Sequence, residues 1–193
     1  MLMLGSWKVN IQVGKYPQKV ASAISNITIL GAEYTPIVYL GSQEVNGVNH
    51  AVLAEQLVTT GKDSKNAVVM IFNEKPNDTV ATLVNIERVV ESGGSLGGIN
   101  VDVKTDIDED AKKAFEEAMQ GYVGMKVEPF ALLGTQVTKG TNYIFAVKMS
   151  PVVAEPTDNV GILVVNNLTK TLTFKELLGD KTDVTSLGYA FTW

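Results

Sequence analysis

Residues 31–56 read GAEYTPIVYLGSQEVNGVNHAVLAEQ, and residues 124–149 read GMKVEPFALLGTQVTKGTNYIFAVKM. Set against each other at an offset of 93 residues, Gly31, Pro36, Leu40, Gly41, Gln43, Gly47 and Asn49 meet Gly124, Pro129, Leu133, Gly134, Gln136, Gly140 and Asn142. That period is too long for a solenoid unit and right for a small domain. The expectation is two copies of one unit, residues 1–91 and 95–193. Ser92-Gly93-Gly94-Ser95 between them has the composition of a short flexible linker.

Outward from the repeat, each copy begins with alternation. Trp7, Val9, Ile11 and Val13 in the first copy, and Ile99, Val101 and Val103 in the second, alternate with polar residues as a half-buried strand does. A helix is predicted from Pro17 to about Leu30, with Val20, Ile24 and Ile27 on one face. Its counterpart follows the acids Asp108, Glu109 and Asp110, which suit a helix N-terminus. There Ala111, Ala114, Phe115, Ala118, Met119 and Tyr122 recur at helical spacing, and Gly121 or Gly124 ends the run. Stretches rich in Val, Ile, Thr and aromatics come next. Asn46-Gly47 and Lys139-Gly140 mark hairpin turns, and Asn77-Asp78 and Asn166-Asn167 further turns. The order strand, helix, four strands predicts an α+β class, with one helix packed on an antiparallel sheet in each copy.

Composition narrows the function classes. The net charge is −5 and no Lys/Arg run exists, which argues against nucleic acid. Without cysteine there is no disulfide, thiolate metal site or Cys nucleophile. No apolar run is long enough for a membrane helix, and Met1–Leu4 is too short for a signal core. A cytoplasmic protein is expected, with a mature segment of a secreted precursor left open. Oligomeric state is not specified.

The order of motifs resembles the cystatins: Leu-Gly near the start of a copy, strand, helix, strand, Gln-x-Val-x-Gly, then Val-Asn-His or Thr-Asn-Tyr. The resemblance spans most of both copies and is closest in the second, with Leu96-Gly97-Gly98, the acidic helix and QVTKGTNYIFAVK from Gln136 to Lys148. It implies two tandem cystatin-like domains and reversible inhibition of a papain-like cysteine peptidase by a wedge of three backbone segments. In the first copy the implied contacts are Leu4, Gly5, the hairpin Gln43, Glu44, Val45, Asn46 and Gly47, and Pro76 in a second turn. In the second they are Leu96, Gly97 and Gly98 with Gln136, Val137, Thr138, Lys139 and Gly140. There are departures. Glu44 puts a carboxylate at a tip that is usually apolar or small, Thr138 replaces the middle Val, and the turn at Asn166–Thr169 has neither Pro nor Trp. The first copy, with a free trunk and a complete motif, is expected to carry most of the binding. The alternative is a non-inhibitory interaction module, in which Gln and Gly serve only the hairpin's geometry.

Other motifs point less far. Asp106, Asp108 and Asp110 with Glu117 imitate calcium-loop spacing, but Ala111 stands where Gly is needed. His50 is the single histidine and aligns with Tyr143, so one chain builds neither a Cys/His dyad nor a His-based metal site. Gly93-Gly94 and Gly97-Gly98 lack the Lys of a phosphate loop. Trp7 and Trp193 are expected to pack near the chain ends. No enzyme activity, metal or cofactor is expected.

Overall fold

The computed structural model describes residues 5–61, 64–93 and 97–178. The first half runs β1 (Trp7–Val13), α1 (Gln18–Ser25), β2 (Ala32–Val45), β3 (Gly47–Val58), β4 (Ser64–Glu74) and β5 (Thr82–Glu91). The second runs β6 (Ile99–Lys104), α2 (Glu109–Met119), β7 (Met125–Thr138), β8 (Gly140–Pro151), β9 (Asn159–Asn166) and β10 (Leu172–Leu178). Each half forms one antiparallel sheet of five strands, ordered β1-β2-β3-β4-β5 and β10-β9-β8-β7-β6.

The expected class is overturned. The described residues are mostly β, two five-stranded antiparallel sheets with only two short helices, and do not form the two expected helix-on-sheet cystatin-like α+β domains. Two physical causes account for this. The helices are short: α1 ends at Ser25 instead of reaching Leu30. Ser22 and Ser25 turn their hydroxyls back onto the carbonyls of Gln18 and Ala21, and the β-branched Ile27, Thr28 and Ile29 follow. Eight residues of helix reach about 12 Å, against a five-stranded sheet about 20 Å wide. The strands, moreover, are apolar on both faces. Ala67–Phe72 and Val160–Val165 are buried without a break, the mark of a sheet covered on both sides.

The second cover is the other sheet. Val38, Leu40, Leu53, Val69 and Ile71 of the first sheet share one core with Val101, Leu133, Ile144, Ile162 and Leu178 of the second, and Trp7 closes it from β1. The outer faces carry the helices: α1 sets Val20 and Ala23 against Val52, Val68 and Met70, and α2 sets Ala111 and Ala114 against Leu132, Phe145 and Leu163. A polar tie joins the halves, for Glu55 of β3 accepts the Val103 backbone N–H of β6 at 3.0 Å and also holds Lys65 at 2.9 Å.

Two described residues that flank the junction, Gly93 and Gly98, lie against each other. The Gly93 N–H donates to the Ile99 carbonyl at 3.1 Å, and a Cβ added to Gly98 would lie 2.3 Å from the Gly93 oxygen. Glycine is required here because two backbones touch. No helix among the described residues is long and apolar enough to cross a membrane.

Candidate functional site

The repeated residues converge at one end of each sheet. In the first, Gln43 pairs across β1 with Trp7 and across β3 with Asn49, and Asn49 pairs across β4 with Asn73. Their amides form a ladder. Gln43 Nε2 donates to the Gly5 carbonyl at 2.7 Å, Asn49 Nδ2 to Gln43 Oε1 at 3.1 Å, and Asn73 Nδ2 to Asn49 Oδ1 at 2.8 Å and the Asn46 carbonyl at 3.3 Å. The second sheet repeats it: Gln136 Nε2 to the Gly97 carbonyl at 2.8 Å, Asn142 Nδ2 to Gln136 Oε1 at 3.0 Å, and Asn166 Nδ2 to Asn142 Oδ1 at 2.8 Å. Asn166 also reaches Thr138 Oγ1 and the Lys139 carbonyl.

The glycines of the repeat serve the same geometry. Gly47 and Gly140 have positive φ, and a Cβ on either would strike the neighbouring turn, at the Glu74 carbonyl in the first copy (2.5 Å) and at Asn167 Oδ1 in the second (2.7 Å). Gly41 and Gly134 lie where β1 and β6 cross closely, and a Cβ there would come within 2.3 Å of the Lys8 carbonyl and 2.5 Å of the Asn100 carbonyl.

Each end thus gathers three chain segments: Gly5, residues 44–47 and the Lys75–Asp78 turn in the first copy, and Gly97, residues 137–140 and residues 167–169 in the second. The implied contact residues Gly5, Glu44, Val45, Asn46 and Gly47 lie at one end of the first sheet, with Pro76 in the turn that follows β4, and Gly97, Val137, Thr138, Lys139 and Gly140 lie at one end of the second. Gly98, by contrast, is held against Gly93. Leu4, Leu96 and Trp193 lie outside the described residues. Gln43 and Gln136, 0% and 8% exposed, face inward. What stands out to solvent is Val45 at the first tip, 44% exposed, and Val137 and Leu168 at the second, 72% and 58% exposed. Glu44 is ion-paired with Lys8 of the adjacent strand. Leu168 and the rungs Asn73 and Asn166 are not among the residues expected from sequence. The two asparagines lie 93 residues apart, so extending the repeat comparison beyond residue 56 finds them.

The two ends are joined through β5. β5 starts at Thr82 beside Asn73 and runs away from the first ladder to Glu91, and Gly93 then meets Gly98 at the head of the second. The length of β5, about 30 Å, separates them.

Behind the first ladder lies a group with no copy in the second half. His50 Nδ1 is 2.9 Å from the Tyr39 hydroxyl, and His50 Nε2 is 3.3 Å from Glu74 Oε2. Lys19 of α1 holds Glu74 Oε1 at 2.9 Å. Burial lowers the His50 pKa, the Glu74 carboxylate opposing it less strongly. Lys19 first, with His50 adding to it, holds Glu74 below the usual carboxylate range. Burial raises the Tyr39 phenol. At the offset of 93, Tyr39, His50 and Glu74 become Leu132, Tyr143 and Asn167. Two of the acids with calcium-loop spacing are otherwise engaged: Asp108 precedes α2 and pairs with Lys104, and Glu117 pairs with Lys170 and Lys113.

Comparison with protein-family models, curated proteins and solved structures finds no match for this chain, so its function is read from its own geometry.

Proposed function

We propose that this protein performs no chemistry of its own and acts as a binding protein, presenting the loop ends of its two sheets to a partner protein. The observation behind this reading is the build of those ends. Three segments are locked together by buried amides, and apolar side chains project from the locked turns. A surface already held in shape loses little conformational entropy on docking. The burial of Gln43 and Gln136 moves the contact from the glutamines to the tips, Val45, Val137 and Leu168.

A papain-like cysteine peptidase is the partner that the motif order names, with the tips entering its cleft as a reversible plug. The test is titration of the full chain against papain and related peptidases with a fluorogenic substrate. The expected result is competitive inhibition, weakened about tenfold or more by Val137→Asp or Val45→Asp, as for an apolar anchor at an interface centre. Full peptidase activity at a large excess of the protein removes the peptidase as partner. One observation favours a non-inhibitory partner instead: the clasp of Gly93 on Gly98 fixes the second trunk, which a substrate-like path along a cleft requires to be free. On that reading the same tip substitutions leave peptidases unaffected.

A further inference from the structure

We propose that the cleft between α2 and the second sheet is a binding site for a single primary ammonium group carried on a short alkyl stem. The cleft has a volume of about 330 Å³ and is lined by Asp110, Lys113, Ala114 and Glu117 of α2, Tyr143 of β8 and Asn167 of the turn after β9. Tyr143 and Asn167 each stand one residue on from a rung of the second ladder, Asn142 and Asn166. The site does not depend on what docks on the tips.

The two halves of the chain fill this place differently. The helices match at an offset of 91, where the buried Val20 and Ala23 of α1 meet the buried Ala111 and Ala114 of α2. At that offset Lys19 meets Asp110, while at the sheets' offset of 93 His50 meets Tyr143 and Glu74 meets Asn167. In the first half the Lys19 ammonium reaches from helix to sheet and holds Glu74 at 2.9 Å, with His50 on the other carboxylate oxygen. That half carries its own cation. In the second half the helix offers a carboxylate instead, and the sheet side offers a hydroxyl and an amide. The lysines around α2 go elsewhere: Lys104 to Asp108, Lys112 to Glu109, and Lys113 and Lys170 to Glu117. Asp110 has no ion-pair partner among the described residues.

An ammonium has three N–H donors and no acceptor. The cleft supplies acceptors of the matching kind. Asp110 gives a charged one, which makes the stronger hydrogen bond. Burial first, then the negative charges of Asp110 and Asp108, raise the Tyr143 phenol, so it stays a neutral hydroxyl with lone pairs to offer. Asn167 Oδ1 accepts the Thr141 N–H at 2.9 Å and has a second lone pair. Ala114, 3% exposed, is an apolar floor for the stem. The Lys113 side chain, 75% exposed and 4.0 Å from Glu117, disfavours a second cationic group, so the ligand carries one. A helix start favours an acid on any side of its first turn. It does not call for a cavity with a hydroxyl and an amide on the facing sheet.

The experiment titrates the isotope-labelled full chain with n-butylammonium chloride, and with tetramethylammonium chloride at equal ionic strength. The second salt has the charge without the N–H donors. We expect saturable amide shifts with butylammonium at residues 109–117, 142–144 and 166–168, half-complete in the millimolar range usual for so small a ligand. Residues 18–25, 49–51 and 73–75, the same place in the first half, are expected to stay still. Asp110→Asn is expected to weaken binding about fivefold or more, and Tyr143→Phe about twofold or more. A blocked tripeptide with a central lysine distinguishes the sources of the group. Saturation by butylammonium alone assigns a free amine, and saturation by the peptide as well assigns a partner's lysine side chain. Shifts that stay linear up to about 100 mM, or equal shifts with tetramethylammonium, overturn the proposal without any variant. Unchanged binding in a folded Asp110→Asn overturns it as well.

Discussion

Gln43 spends both ends of its amide inside the protein, donating to the Gly5 carbonyl and accepting from Asn49. Replacing it leaves two buried polar groups without a partner, each worth about 1–3 kcal/mol. Gln43→Ala is therefore expected to destabilise the chain by about 2–4 kcal/mol in urea unfolding. Gln136→Ala should have a smaller effect, because its rung is partly open to water. A loss below about 0.5 kcal/mol for Gln43→Ala would mean that the ladder is ornamental. A residue that recurs in a repeat invites a functional reading, yet here the recurring amides hold the trunk to the hairpin. The more exposed and more variable residues between them, Val45 and Val137, are the ones available for contact. Sequence marks the glutamines because they recur, and recurrence does not separate a contact from a brace.

At the scale of elements, the close crossings decide which glycines matter. Gly41→Ala drives a methyl into the Lys8 backbone, which cannot step aside without breaking the β1–β2 pairing. A loss of about 2–3 kcal/mol and faster amide exchange along β1 are expected. Gly14→Ala is the control. Nothing lies within 4 Å of its added Cβ, and only its positive φ, 64°, resists the change, so about 1 kcal/mol is expected. Equal losses would show that space at Gly41 is not the constraint. The strands and turns were largely legible, because alternation, Asn-Gly and the repeat itself are local signals. The helical spacing extends further than the helix does. The spacing of Val20, Ile24 and Ile27 is helical, but the serines and β-branched residues around them end α1 at Ser25. The facing of the two sheets was not legible from periodicity. The runs Ala67–Phe72 and Val160–Val165 announce burial on both sides without naming what does the burying.

For the whole molecule, the shared core sets what a fragment can do. Residues 1–91 alone would expose Val38, Leu40, Leu53, Val69 and Ile71 to water, and residues 95–193 would expose their counterparts. Each half is expected to aggregate or remain poorly ordered alone, and the two to recombine as a one-to-one complex on mixing, as seen by size exclusion and amide NMR. A dispersed spectrum from monomeric 1–91 would refute the single core. The placement of the ladders has a further consequence. They lie at the two ends of the path along β5, about a strand's length apart. If both ends bind as proposed, one chain is divalent. A partner with one receiving surface would load two copies per chain, and a partner with several would be strung into a network. Affinity in such a network is set by the spacing between the ends as much as by either tip.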